Sequence, residues 1–204
     1  LFKKFANIDC FDFELNEPDP HRLADIVCAL EPTFGAINLE DIKAPDCFIV
    51  EELCRQRMNI PVFHDDQHGT AIIATAGLIN ALHLTKRDLK SAKIVCNGAG
   101  AAAIACVELI KSLGVPNGNV ILADSKGVVY KGRTEGMNQW KSAHAVRTDA
   151  RTLAEAVKGA DAVITMLPNG TLVGDDASLS RLDTRGGARV VVTGSHFGPL
   201  DPNL

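Results

Sequence analysis

The sequence predicts an α/β fold: a doubly wound, mostly parallel sheet preceded by part of a smaller α/β domain. Two observations support this prediction. Short apolar segments that suit strands alternate with longer segments that suit helices, and a glycine-rich turn joins one such pair near residue 98. Alternation of this kind requires right-handed crossover connections, which place consecutive strands parallel in one sheet. We expect the smaller domain to cover residues 1–70 and the sheet domain to cover residues 71–204.

Composition excludes several classes of protein. The 204 residues are 46% hydrophobic and 23% charged, which is typical of a chain with a packed core rather than a disordered one. A net charge of −4 and a pI of about 5.9 argue against a nucleic-acid-binding protein, which needs a basic face. No apolar run approaches the roughly 20 residues that span a bilayer. We therefore expect neither a nucleic-acid nor a membrane partner.

The six cysteines form no C-x-x-C pair, so the sequence does not predict a zinc ribbon or a thioredoxin-type site. Most of them lie among apolar neighbours, as Cys96 does. We expect buried free thiols in the reducing environment of the cytoplasm.

The first part of the chain predicts strands and helices in alternation. Asp19 and Pro20 are typical of a helix start, because Asp caps free backbone N–H groups and Pro fits the first turn. Pro32 predicts the end of that helix. Strands are predicted at 11–15, 36–39 and 60–63, and further helices at 45–58 and 71–84.

The second part begins near Lys93 and continues the alternation. Asp149 is expected to cap a helix that ends at Val157, and residues 132–148 are expected to be irregular. Strands are predicted at 93–97, 120–123, 128–130, 161–166 and 189–193, and the other helices at 101–113 and 175–182.

A G-x-G-x-x-A sequence lies between a predicted strand and a predicted helix. Gly98 allows the tight turn, Gly100 removes a side chain where backbone must approach a pyrophosphate, and Ala103 lets helix and strand pack closely. The phosphates would bind the unpaired N–H groups at the start of the helix. This context predicts a Rossmann-like dinucleotide site formed by Gly98, Ala99, Gly100, Ala101, Ala102 and Ala103.

The carboxylate that binds the ribose hydroxyls is predicted at Asp124, at the end of the next strand. An acidic residue at this place usually favours NAD. Ser125 and Lys126 follow directly and offer partners for the 2′-phosphate of NADP instead. The choice between NAD and NADP stays open at this point.

Two predicted strands of the first part run directly into paired acids. Glu40 and Asp41 follow one strand, and Asp65 and Asp66 follow the other after a histidine. If the two strands are parallel, their carboxyl ends meet at the edge of the sheet where ligands collect. Carboxylates so close together repel unless a cation neutralises them, and ligands that are all oxygen favour Mg²⁺ or Mn²⁺.

Nearby residues have more ordinary interpretations. His64 and His68 could be metal ligands, but we expect them to orient the loop instead. Gly69 and Thr70 could contact a cofactor or simply begin the next helix.

Three segments closely resemble bacterial malic enzymes. They are 35–45 (GAINLEDIKAP), 60–70 (IPVFHDDQHGT) and 97–106 (NGAGAAAIAC). Residues 124–127 and 130–138 extend the resemblance, which covers roughly residues 1 to 164. The chain is most similar to the NADP-dependent bacterial type, whose longer members carry a phosphotransacetylase-like domain after the malic-enzyme part.

The resemblance implies an enzyme that oxidises malate and decarboxylates the product to pyruvate, using NADP or NAD and Mg²⁺ or Mn²⁺. It implies Glu40, Asp41 and Asp66 as metal ligands, with Asp65 as a supporting catalytic carboxylate beside them. It also implies a homo-oligomer of two or more subunits.

Two departures from the family pattern concern catalysis. The family's catalytic tyrosine and lysine come from an N-terminal segment that would precede Leu1, so we expect this chain to lack that segment. Tyr130, the only tyrosine, belongs to a different motif. Residues 190–199 stand where the family has an Ala-Asn-Pro motif whose Asn contacts cofactor and substrate, and nothing in the sequence explains that replacement.

Two other functions compete with that of a malic enzyme. One is a non-catalytic dinucleotide-binding or regulatory module derived from a malic enzyme. The other is an amino-acid dehydrogenase with the same sheet plan, which is disfavoured because it has no need of the two acidic pairs.

Overall fold

The computed structural model describes residues 1–166 and the strand at 190–193. Its helices and strands alternate along the chain as the sequence predicts, with short turns between several of them. The helices are α1 (Phe2–Ala6), α2 (Pro20–Ala29), α3 (Asp46–Arg57), α4 (Thr70–Leu84), α5 (Ala101–Ser112), α6 (Gln139–Ala143) and α7 (Leu153–Ala156). The strands are β1 (Ile37–Leu39), β2 (Val62–His64), β3 (Ile94–Asn97), β4 (Val120–Asp124), β5 (Gly127–Val128), β6 (Ala162–Thr165) and β7 (Val190–Thr193).

The larger sheet has five strands in the order β5-β4-β3-β6-β7. All neighbouring pairs are parallel except β4 and β5, which form a short antiparallel pair. The chain leaves β3 on one side towards β4 and later crosses to β6 on the other side. This reversal next to β3 is the point at which ligands bind in open α/β sheets.

Alternate residues of the central strands face opposite sides of this sheet. Ile94 and Cys96 of β3 pack in a core with α4 and α5, whereas Val95 packs in a second core with residues of α7 and the segment before β6. All three side chains are fully buried. Cover on both faces confirms the predicted doubly wound α/β fold.

In the described part of the chain, the smaller sheet consists of β1 and β2. The two strands are parallel, with Ile37 opposite Val62 and Leu39 opposite His64. Helices α2 and α3 pack beside them around Val50 and other apolar side chains. This arrangement confirms the predicted βαβ unit, whereas the domain boundary at residue 70 stays a prediction.

The predicted strand at 11–15 is wrong. Residues 11–15 have no regular structure, and the side chains of Phe11 and Phe13 are 68% and 52% exposed. Their rings contact Phe34 with centroids 5.9 and 5.7 Å apart. Alternating apolar residues form a stable strand only with a neighbouring strand and a core to cover one face, and the described residues provide neither there.

Two other predictions need correction in the second part. The cap of α7 is Thr152, not Asp149: its side chain accepts from the N–H of Glu155, whose carboxylate accepts from the N–H of Thr152. Such a capping box uses both free groups, so a cap three residues earlier has no advantage. The segment 132–148 also contains the short helix α6, which begins after Asn138.

The remaining predicted elements are confirmed within one or two residues at each end, except the helix at 175–182, which lies outside the described residues. Four cysteines are buried as expected, whereas Cys28 is half-buried and Cys10 is exposed. Within the part of the chain that the structure describes, no helix has the length and apolar character needed to cross a membrane.

Neighbouring residues of α4 give a test of this packing. Leu78 is fully buried in the core between α4 and the sheet, whereas the next side chain, Ile79, is 42% exposed. We expect Leu78→Ala to lower the free energy of unfolding by about 2–5 kcal/mol, because it removes buried methyl groups and leaves a cavity. Urea denaturation measures the change. The control Ile79→Ala should change the free energy by less than about 1 kcal/mol, and equal effects would contradict the assigned faces of α4.

Candidate functional site

The glycine turn after β3 has the geometry of a phosphate-binding loop. Gly98 has φ +125°, and a Cβ there would lie 2.9 Å from Cβ of Met166. Gly100 has ordinary backbone angles, but a Cβ there would meet no atom within 4 Å. At Gly98, the positive φ and the nearby Met166 require glycine. The space beside Gly100 is instead open to a ligand.

The first turn of α5 faces this open space with free backbone groups. Gly100 precedes the helix, and no side chain caps its N–H groups. Ala103 is 1% exposed and packs in the core with the sheet, as the sequence predicts. Uncapped N–H groups at a helix start attract anions, so the loop fits the pyrophosphate of a dinucleotide.

Asp124 ends β4 and already holds two cationic side chains. Nη2 of Arg133 lies 2.8 and 2.9 Å from its two oxygens, and Nζ of Lys141 lies 2.8 Å from Oδ2. The N–H of Lys126 also donates to Oδ1 at 2.9 Å. Burial raises the pKa of Asp124, but the hydrogen bonds from Lys141 and Arg133 outweigh it and leave the pKa below its ordinary value. Asp124 is thus ionised at neutral pH.

Sequence reasoning missed both cationic partners of Asp124. Arg133 is buried and also donates to the carbonyl oxygens of Gly127 and Val128 at 3.0 and 3.1 Å, so it supports the whole connection after β4. Its motif contributes to the family resemblance, but neither its spacing nor its composition indicates a partner for Asp124.

Ser125 and Lys126 are both exposed beside Asp124. Nζ of Lys126 pairs with Oε1 of Glu135 at 2.9 Å, and both side chains are more than half exposed. Surface pairs of this kind are weak, so Lys126 is available to a ligand phosphate at little cost.

The two acidic pairs lie at one edge of the smaller sheet, because β1 and β2 are parallel and in register. The N–H of Asp41, which has φ +58°, donates to Oδ2 of Asp66 at 2.7 Å. Oε2 of Glu40 accepts from Nδ2 of Asn38 at 3.2 Å. Burial raises the pKa of Glu40, and the negative charges of Asp65, Asp66 and Asp41 raise it further.

These carboxylates fit a hard divalent cation by their chemistry, because all the donors are oxygen and their charges repel one another. Among the residues that the structure describes, no three of them are gathered around one point. Oxygens of Glu40 and Asp66 instead accept the exposed hydrogen bonds from Asn38 and Asp41. Ion binding would therefore exchange these bonds for metal contacts.

Asp65 and Asp66 begin a five-residue π turn, Asp65–Gly69, which we call the acidic turn. Gly69 has ordinary angles, but a Cβ there would overlap the carboxylate of Asp65. Its role is thus to leave room for that carboxylate, and α4 begins at Thr70. The acidic turn also packs against α5, the helix that starts at the glycine turn. The elements that carry the two predicted sites are therefore in contact.

The two histidines of this region have different surroundings. His64 is fully buried, and neither ring nitrogen has a hydrogen-bond partner among the residues that the structure describes. Burial lowers its pKa, so the ring is neutral. Nε2 of His68 lies 2.6 Å from Oε1 of Glu51, in agreement with the expected orienting role. No pattern in the sequence indicates a role for Glu51, which belongs to α3.

Two aromatic side chains connect the acidic side of the molecule with the nucleotide side. The ring of Phe48 on α3 stacks on Trp140 of α6, with centroids 4.6 Å apart and planes 25° apart. Both rings line a cleft of about 370 Å³ that also includes Glu51 and His68. Tyr130 makes a cation–π contact with Arg151 instead, and the guanidinium lies 3.8 Å from the centroid of its ring.

The model of the family described as "Malic enzyme, NAD binding domain" matches residues 67–182. The NADP-dependent malic enzyme of Rhizobium meliloti (strain 1021) is 63% identical over 175 residues, which are 86% of this chain and 23% of that protein. The NAD-dependent malic enzyme of the same organism is 53% identical over 172 residues, 84% of this chain and 22% of that protein. The chain thus spans less than a quarter of the length of these relatives.

Solved structures agree with the sequence match. The NAD-dependent malic enzyme of Thermotoga maritima superposes with a TM-score of 0.77 at 40% sequence identity, over 84% of this chain and 46% of that one. The family match includes the acidic turn from Gln67 onwards, the glycine turn and Asp124. The chain therefore belongs to the malic enzyme family and contains its NAD-binding domain.

Proposed function

We propose that the protein oxidises malate and decarboxylates the product to pyruvate and CO₂, with reduction of a nicotinamide dinucleotide. The observation that carries the proposal is the packing of the acidic turn against α5, whose first turn is the dinucleotide loop. A substrate held at the carboxylates would thereby lie near the cofactor. The names of the relatives, malic enzymes that depend on NADP or NAD, support the same reaction.

The proposed division of labour follows the chemistry of the residues. Gly98, Ala99, Gly100, Ala101, Ala102 and Ala103 hold the pyrophosphate at the start of α5. Glu40, Asp41 and Asp66 hold Mg²⁺ or Mn²⁺, and Asp65 is the supporting carboxylate beside them. When bound, such an ion acidifies the malate hydroxyl and stabilises the negative charge that develops as CO₂ leaves.

A bound cation would also counter the negative charges around Glu40. Glu40 has a raised pKa because partial burial and the negative charges of neighbouring aspartates disfavour its ionised form. A divalent cation reverses that effect, so binding of the ion and deprotonation of Glu40 favour each other. Metal affinity is therefore expected to fall as the pH falls.

We also propose that the cofactor is NADP rather than NAD. Asp124 has no oxygen without a donor, since Arg133, Lys141 and the N–H of Lys126 bind it. The guanidinium of Arg133 and the ammonium of Lys141 carry two positive charges, and Asp124 carries one negative charge. The net charge beside the predicted ribose position is therefore positive. This charge favours a 2′-phosphate, which Ser125 and the side chains of Lys126 and Lys141 can reach from the same connection.

We also propose that the reaction takes place in the cytoplasm and in a homo-oligomer. Six free cysteines, four of them buried, suit the reducing cytoplasm. A homo-oligomer of two or more subunits follows from the family resemblance alone. A protein that binds dinucleotide but does not turn over malate would instead be a regulatory module, and the first experiment below distinguishes the two.

The first prediction concerns the acidic residues. We expect the protein encoded by the complete gene to reduce NADP⁺ with malate and Mn²⁺, and Asp66→Ala to lower this rate at least about 100-fold, because a metal ligand is lost. Absorbance of the reduced nicotinamide measures the rate. Asp149→Ala, at an exposed acid outside the site, is the control. Full activity of Asp66→Ala would refute the ligand assignment, and cofactor binding without turnover in the unaltered protein would favour the regulatory module.

The second prediction concerns the choice of cofactor. We expect Lys141→Ala to weaken NADP⁺ binding by about tenfold or more, because it removes a cation and frees the negative charge of Asp124. NAD⁺ binding should change by less than about threefold. Calorimetric titration of this chain measures both. Lys131→Ala, an exposed lysine in the same connection, should leave both affinities unchanged. Equal losses for NADP⁺ and NAD⁺ would contradict the 2′-phosphate assignment.

A further inference from the structure

A buried carboxylate outside the predicted site is bonded to the acidic turn. The side chain of Glu51 on α3 is only 9% exposed. Its Oε2 accepts a hydrogen bond from Nε2 of Gln67 at 2.9 Å, and its Oε1 lies 2.6 Å from Nε2 of His68. Arg55, one turn further along α3, places Nη1 3.5 Å from Oε1. Gln67 and His68 are both residues of the acidic turn.

The burial of Glu51 makes these contacts necessary. An ionised carboxylate removed from water is unfavourable unless donors replace the lost hydration. The two closest donors come from the acidic turn, and Arg55 is exposed and more distant. Gln67 is itself 3% exposed, so its amide would also lose a buried partner if Glu51 were replaced. The side chains of Glu51 and Gln67 therefore depend on each other.

The acidic turn needs such support because its backbone is unusual. A π turn is wider than an α turn and is rarely favoured by the backbone alone. Here it has to place the carboxylate of Asp65 against Gly69, where there is room only because glycine has no Cβ. Bonds to Gln67 and His68 hold the two residues that directly follow Asp66, so they limit how Asp65 and Asp66 can turn.

We propose that Glu51 is a positioning residue: it holds the acidic turn on α3 and so limits the orientations open to Asp66, the proposed metal ligand, and to Asp65, the supporting carboxylate beside it. Glu51 contacts neither substrate nor cofactor in this role. The expected effect on metal affinity rests on the proposed function. The expected effect on the geometry of the acidic turn does not.

Three variants test the proposal in this chain. Glu51→Leu removes the carboxylate but keeps an apolar side chain of similar size. Glu51→Gln keeps an oxygen that can accept from Gln67. Glu52→Gln is the matched control, because Glu52 is the next residue of α3, is exposed, and accepts only from Gln56 on the same helix among the described residues.

Two measurements are made on each variant. Free Mn²⁺ measured by electron paramagnetic resonance gives the affinity for the ion, and hydrogen exchange of the amides at 65–69 reports the stability of the acidic turn. We expect Glu51→Leu to weaken Mn²⁺ binding about 10- to 100-fold, as is typical when a partner that orients metal ligands is lost, and to accelerate exchange at 65–69. Glu51→Gln should recover most of both properties, and Glu52→Gln should match the unaltered chain.

Unchanged Mn²⁺ affinity and unchanged exchange in Glu51→Leu would overturn the proposal. So would equal losses in Glu52→Gln, or a rise in exchange that spreads evenly over the whole chain, since either would indicate a general loss of stability. If Glu51→Leu does not fold, Gln67→Leu decides the question. It removes one of the two bonds to Glu51, and Mn²⁺ affinity should fall severalfold; an unchanged affinity would overturn the proposal.

The result for the unaltered chain separates this inference from the proposed function. If the unaltered chain binds no Mn²⁺, the metal assignment fails, and the positioning role is then decided by hydrogen exchange alone. Faster exchange at 65–69 in Glu51→Leu, but not in Glu52→Gln, would still support it, and equal exchange in both would refute it.

Discussion

The larger parallel sheet is the constraint on which the other features depend. Both faces of β3 are covered, so the backbone of this strand becomes accessible only at its carboxyl end. The glycine turn leaves the sheet at that end, and Asp124 ends the neighbouring strand. Helix α5 starts from the same turn and provides the surface against which the acidic turn packs. Helix α5 therefore begins at the dinucleotide loop and also contacts the turn that contains Asp65 and Asp66.

Local signals made much of this arrangement predictable. Buried strands such as β3 are short apolar runs, and the spacing of Gly98 and Gly100 carries its own chemistry. The prediction of a strand at 11–15 is wrong because alternation shows which side chains could be buried together, but not which other element would cover them. The partners of buried charges were also missed: Arg133 lies 9 residues beyond Asp124, and His68 lies 17 beyond Glu51, at separations that match no helix or strand period.

The two ends of the site treat charge in opposite ways. At the acidic edge, partial desolvation and the negative charges of Asp65, Asp66 and Asp41 disfavour the ionised form of Glu40. At Asp124, two cations surround one carboxylate and stabilise its ionised form. A bound cation would therefore lower the electrostatic free energy of the acidic edge, and a bound anion would do the same beside Asp124. Neither property can be derived from the net charge of −4, because it depends on which side chains the connections bring together.

The stack of Trp140 on Phe48 has a spectroscopic consequence. Trp140 is the only tryptophan in the sequence, so the ultraviolet emission of the protein comes mainly from one indole. That indole directly precedes Lys141, which binds Asp124, and its partner Phe48 lies one turn before Glu51. A small displacement on either side changes the environment of the same fluorophore. The molecule thus carries a natural optical probe at the junction between its acidic and nucleotide-binding sides, and no added label is needed.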